Sequence, residues 1–192
     1  MKAVESLPEG YVEIASIDLQ KNKKLALLVN GIALVLMSIM GFAMHRFVPI
    51  TTLFYLESWV RFVALIGSAI LYTILHELVH GVAMKLCGTK KVKYGFTGIY
   101  AFAGSKDYYG KGAYLFIALA PVVFWGLVLV VLNVLVPIEW FWVVYCVQIY
   151  NVSGAAGDMY VTARFSKLPA DILVTDYGVG MKVYSKEVPP QA

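Results

Sequence analysis

The run Ile70-Leu-Tyr-Thr-Ile-Leu-His76-Glu77-Leu-Val-His80-Gly81 constrains this chain more than any other stretch. It sets His-Glu-x-x-His inside a series of apolar residues long enough to cross a bilayer. Whatever fold results must supply polar partners at a depth where hydrocarbon offers none. On a helix, positions i and i+4 share a face, so His76 and His80 offer two imidazole nitrogens to one cation. Glu77 stands about 100° further round, within reach of a water on that cation. Zn²⁺ suits such a donor set. With three protein ligands it keeps a fourth position for water, whose pKa falls to near 7. The plain alternative is a pair of histidines packed as ordinary polar residues, and it leaves three costly groups in an apolar span without a reason.

Composition points the same way. Of 192 residues, 60% are hydrophobic and only 15% charged, and the mean hydropathy is +0.73. A soluble domain of this size would carry more charge, so an all-α polytopic membrane protein with one compact bundle is expected. The net charge of +4 reads as membrane topology rather than nucleic-acid binding, because the basic residues flank apolar runs. Cys87 and Cys146 have no metal-type spacing, and no disulfide framework is expected. The polar, acidic first twenty residues do not look like a cleavable signal, which leaves the first apolar helix as an uncleaved insertion signal.

Taken in order, residues 1–24 form a lead-in with a short strand or interfacial segment over Tyr11 to Leu19 and a basic cluster at Lys21, Lys23 and Lys24. Four transmembrane helices are expected, at about 25–44, 59–86, 112–136 and 138–165. Arg61 near the start of the second can snorkel to the interface. Pro121 interrupts the hydrogen bonding of the third. The connector 87–111 contains two short β-like segments, Val92 to Phe96 and Thr97 to Gly104, and the tail 166–192 a small hairpin. Both termini and the connector share one side, which holds fourteen of the sixteen basic residues; only Arg46 and Arg61 belong to the other. The positive-inside rule places that side in the cytoplasm.

Zinc needs a third protein ligand. His45 lies at the wrong end of the first span. Among the twelve acidic residues, Glu77 and Asp158 alone fall well inside apolar spans. At 1.5 Å per residue, His80 and His76 lie about 9–15 Å before the cytoplasmic end of their span and Asp158 about 10 Å before the end of its own. A carboxylate on so short a stem needs close backbones, and Ser153, Gly154, Ala155, Ala156 and Gly157 permit them. The alternative, packing residues with Asp158 paired to a basic group, lacks a basic residue in the body of any span except Arg61, near the opposite face. Asn151, two turns earlier on the same face, either points at the site or makes a helix-packing hydrogen bond.

With these residues assembled, the chain resembles the site-2-protease intramembrane zinc metalloproteases. More closely it is similar to the zincin-peptidase family of short four-helix bacterial and archaeal membrane proteins. The resemblance rests on His76-Glu77-Leu-Val-His80-Gly81, Lys93-Tyr-Gly-Phe96, Leu119-Ala-Pro121 and Asn151 to Asp158, and covers nearly the whole chain. It implies that His76, His80 and Asp158 bind Zn²⁺, that Glu77 is the catalytic base, and that the connector guides a membrane protein or peptide substrate. It also implies a prokaryotic cell membrane as the location. Two departures stand out: Gly157-Asp158-Met159 replaces the usual Asn-Pro-x-Asp-Gly or Leu-Asp-Gly, and Ala120-Pro121-Val-Val-Phe124 lacks the asparagine of Gly-Pro-x-x-Asn. The rival from another class is a non-catalytic protein using the same ligands as a structural or regulatory zinc site. A metal transporter would need ligands spread across the bilayer rather than gathered at one depth.

Overall fold

A computed structural model of the chain describes residues 3–54, 58–98 and 100–186. Residues 55–57 of the first loop, 99 of the connector and 187–192 of the tail, all covered by the expectations above, lie outside them. Three helices are long and apolar enough to cross a membrane: α1 (Lys23–His45), α2 (Ser58–Leu86) and α3 (Lys111–Leu135). Only 11%, 6% and 22% of their most apolar windows are buried within the fold. Leu34, Phe42, Ile66, Ile70, Leu127 and Val134 are all exposed. In water such faces would aggregate; they are compatible with a bilayer as the surrounding solvent.

Local chemistry sets where these helices begin and end. Asn22 caps α1, its Oδ1 accepting the Leu25 N–H at 3.0 Å. At the other end of α2, Gly88 takes φ +101°, the left-handed turn that glycine enters without penalty. The Thr89 N–H then reaches back to the Met84 carbonyl and the Gly88 N–H to that of Lys85. This Schellman arrangement stops α2 about two turns beyond His80.

The fourth expected span is not one helix. A 3-10 turn (Ile138–Trp140) leads into α4 (Phe141–Gly154), and α5 (Ala156–Phe165) follows after a single turn residue, Ala155. The run of small residues read as a close-packing surface contains this break. Glycine holds a helix poorly, and its neighbours there bring little side-chain packing to hold one together. Among the described residues three helices, not four, therefore satisfy the length and apolarity needed to span.

The chain forms two compact units. One contains residues 1–27, 77–120 and 158–192. Its strands are β1 (Val12–Ile17), β2 (Lys93–Phe96), β3 (Ala101–Gly104), β4 (Tyr108–Gly110), β5 (Leu173–Asp176) and β6 (Met181–Ser185). A four-stranded antiparallel sheet has the order β1-β6-β5-β4, while β2 and β3 form a separate hairpin. The lead-in strand and the tail hairpin thus join one sheet, with Val174 opposite Val183 at its centre. The core of this unit includes Met84, Tyr109, Tyr114, Ile117, Phe165, Ile172, Val174 and Val183. The other unit, residues 28–76 and 121–157, is helical. It packs Leu53, Trp142, Val143 and Ile149 in one cluster and Tyr72, Leu129 and Val147 in another. Arg61 donates to the Thr52 carbonyl at 3.2 Å within this unit.

Candidate metal centre

His76, Glu77 and His80 all lie on α2, so one continuous helix sets the spacing of the motif. His80 lies on the face turned towards α5, where its Nε2 stands 3.7 Å from Asp158 Oδ1. The two side chains are 12% and 26% exposed, which leaves the carboxylate reachable from outside. Asp158 occupies the first turn of α5, the end of a helix that favours negative charge. The break at Ala155 is what gives it that position. One ligand atom from each of His76, His80 and Asp158 lies within 4.8 Å of the others. Donors bound tetrahedrally to one zinc at about 2.0 Å stand about 3.3 Å apart, so the His80–Asp158 pair is already close to that spacing.

The outer partners of the rings decide which nitrogen faces this cluster. Ile117 offers only a carbonyl oxygen to His80 Nδ1, 2.9 Å away. A carbonyl can only accept, so Nδ1 carries the proton and Nε2 keeps its lone pair for a metal ion. His76 is held by a longer chain. Asn151 Nδ2 donates to the Val122 carbonyl at 3.1 Å, which orients the amide and turns its Oδ1 to Tyr72. The Tyr72 hydroxyl gives its one proton to that Oδ1 at 2.7 Å. Its oxygen then accepts from His76 Nδ1, also at 2.7 Å. His76 is thereby held in the same tautomer as His80. Ring N–H groups anchored in this way are what metal-binding histidines require, and the donor set fits Zn²⁺.

Glu77 follows His76 on α2 and is partly buried. Gly81, the residue after the second histidine, is buried against the connector: a Cβ there would overlap the Tyr94 hydroxyl of β2. That contact seats the β2–β3 hairpin one residue from His80. His45 is engaged elsewhere, its Nδ1 accepting the Ile50 N–H at 3.0 Å. Cys87 and Cys146 are both free thiols.

Residues 69–173 match the family described as Putative zincin peptidase. The chain belongs to that family. Membership points to a metallopeptidase and implies zinc, and the matched segment contains His76, Glu77, His80 and Asp158. A protein of Pyrococcus woesei, described as "Uncharacterized 24.7 kDa protein in gap 5'region", is 30% identical over 128 residues. The alignment covers 62% of this chain and 53% of that one, so the chain spans about half the length of the curated relative it matches. No solved structure matches the chain.

Two polar side chains of this zincin peptidase escape a reading of the sequence. Tyr72 looks like one more aromatic in an apolar helix, although its place one turn before His76 puts it on the histidine face. Asp176, on β5, accepts from the Tyr114 hydroxyl at 2.9 Å and from the Gly178 N–H at 2.9 Å. Burial pushes its carboxyl above the usual aspartate range, against the opposing pull of those two donors and of His80. Nothing local in the tail sequence marks it.

Proposed function

We propose that this chain is a membrane-embedded zinc metallopeptidase of the site-2-protease type, cleaving peptide bonds of membrane-associated substrates close to the cytoplasmic leaflet. The observation that carries the proposal is the convergence of two Nε2-directed imidazoles and one carboxylate beside a glutamate. His76, His80 and Asp158 hold the ion. Zinc bound by them supplies Lewis acidity and a water nucleophile near neutral pH. Glu77 takes the proton from the attacking water and returns it to the departing amide nitrogen as the C–N bond breaks. Three protein ligands leave room for water and a peptide carbonyl, which a closed structural zinc site would not.

Substrate enters as an extended strand. Among the described residues β2 pairs only with β3, and Tyr94 holds β2 against Gly81. A peptide adding to the β2 edge would lie beside His80 with its main-chain groups paired. The basic lead-in and connector support cytoplasmic termini and a site opening towards that side. The test is proteolysis of a membrane-anchored peptide library by the purified protein with and without zinc. Stoichiometric zinc with no cleavage of any peptide would favour the structural or regulatory role.

A further inference from the structure

We propose that Pro121 is a positioning residue for His80, acting through the backbone of α3. In an α-helix the N–H of residue i bonds the carbonyl of residue i−4, so residue 121 would serve Ile117. Proline has no N–H, and its ring pushes that carbonyl aside. The carbonyl so released is the one that holds His80 Nδ1 at 2.9 Å. Ile117 is 1% exposed and Pro121 is fully buried, so water is a poor substitute partner for the freed oxygen. The helix thus carries a vacant acceptor where the ligand ring needs one. This inference rests on the zinc-site reading above and deepens it, since it explains why the second imidazole presents Nε2.

Pro121→Ala restores the missing donor. The Ile117 carbonyl then turns back into the helix and shares its lone pairs between the residue 121 N–H and the His80 ring. The experiment measures zinc affinity of the full-length protein in detergent by chelator competition, beside the thermal stability of the metal-free form. Zinc affinity is expected to fall about tenfold, the lower end of the roughly 10–100-fold range for outer-shell changes. Metal-free stability should stay level or rise, because a helical hydrogen bond is regained. Unchanged affinity overturns the proposal, and so does a parallel fall in affinity and metal-free stability, which would make Pro121 a packing residue only. Nitrogen-15 spectra of zinc-loaded wild type provide a second readout that does not depend on the variant folding: His80 should show metal at Nε2 and a protonated Nδ1, and metal at Nδ1 overturns the proposal. A wild-type protein that takes up no zinc removes the metal-centre reading and this inference together, whereas altered affinity with no peptidase activity leaves the inference standing.

Discussion

His76 and His80 sit one turn apart on a single helix, yet the chain holds them by different means. His80 leans on a backbone carbonyl, that of Ile117, whose position follows from the course of α3. His76 depends on two side chains in series, Tyr72 and Asn151, which lie on different helices and 79 residues apart in sequence. A backbone acceptor is not removed by a change at its own residue and turns only if the helix around it changes. A tyrosine hydroxyl can be mutated away and can rotate to another partner, so the first imidazole is the more adjustable of the two. What unites them is the outcome: both rings carry the proton on Nδ1, which leaves each Nε2 with its lone pair for a metal ion.

The largest effect separates holding the ion from using it. Glu77→Gln leaves both imidazoles and their partners in place, so zinc content should not change. Peptide hydrolysis should fall by roughly 10²–10⁴-fold, the usual contribution of a general base. Single-turnover assays on zinc-loaded variant and wild type decide this; retained hydrolysis would take Glu77 out of the chemistry. Asp158→Ala comes next. It removes a donor shared by neither histidine's support, so zinc affinity should drop by more than the roughly 10–100-fold expected of an outer partner. Unchanged zinc stoichiometry in that variant would put the third ligand elsewhere and dissolve the comparison between the two rings.

The adjustable ring invites a sharper probe. Asn151→Leu removes the acceptor of the Tyr72 proton, and the hydroxyl is then free to donate to His76 Nδ1. That donation drives the ring proton to Nε2 and blocks the ligand nitrogen. Tyr72→Phe withdraws the hydroxyl altogether. Each single change should weaken zinc binding about tenfold, but the double variant should cost little more than either one, since both break the same chain. Additive losses, measured by chelator competition, would mean that the two side chains act on the site independently.

Much of this arrangement is legible in the sequence. The extents of α1, α2 and α3 follow from hydropathy, because an apolar run of this length has few other places to go. The grouping of His76, His80 and Asp158 follows from the expense of placing ionisable groups in such runs. Other parts were hidden for identifiable reasons. Ser153 to Gly157 read equally well as a packing surface or as a break, since smallness favours close approach and weakens helices alike. The sheet joining residues 12–17 to 181–185 depends on pairing across nearly the whole chain, which leaves no local trace. Tyr72 has no sequence mark beyond its distance from His76. Pro121 was visible as an interruption, and subtraction of four points to Ile117, but the use made of that carbonyl needed His80 beside it.

The smallest expected effect concerns Asp176, a half-buried aspartate of the sheet-bearing unit. Its folded pKa is raised, chiefly by burial, above an unfolded value of about 3.9. Folding therefore favours the protonated form. The stability this group contributes is complete below about pH 3.9 and declines as pH rises towards the folded pKa. Its slope in that window is at most about 1.4 kcal/mol per pH unit, the value for one proton. Asp176→Asn keeps an oxygen for the Gly178 N–H and can donate to the Tyr114 oxygen, so the turn should survive with the titration removed. Denaturant unfolding of the metal-free protein, followed from pH 4 upward, should then lose part of its pH dependence, with the variant equal to or more stable than wild type near neutrality. A variant that is less stable at neutral pH would mean that the charge on Asp176 is wanted in the folded protein, and that the field of this carboxylate on His80 belongs to the site rather than to the tail.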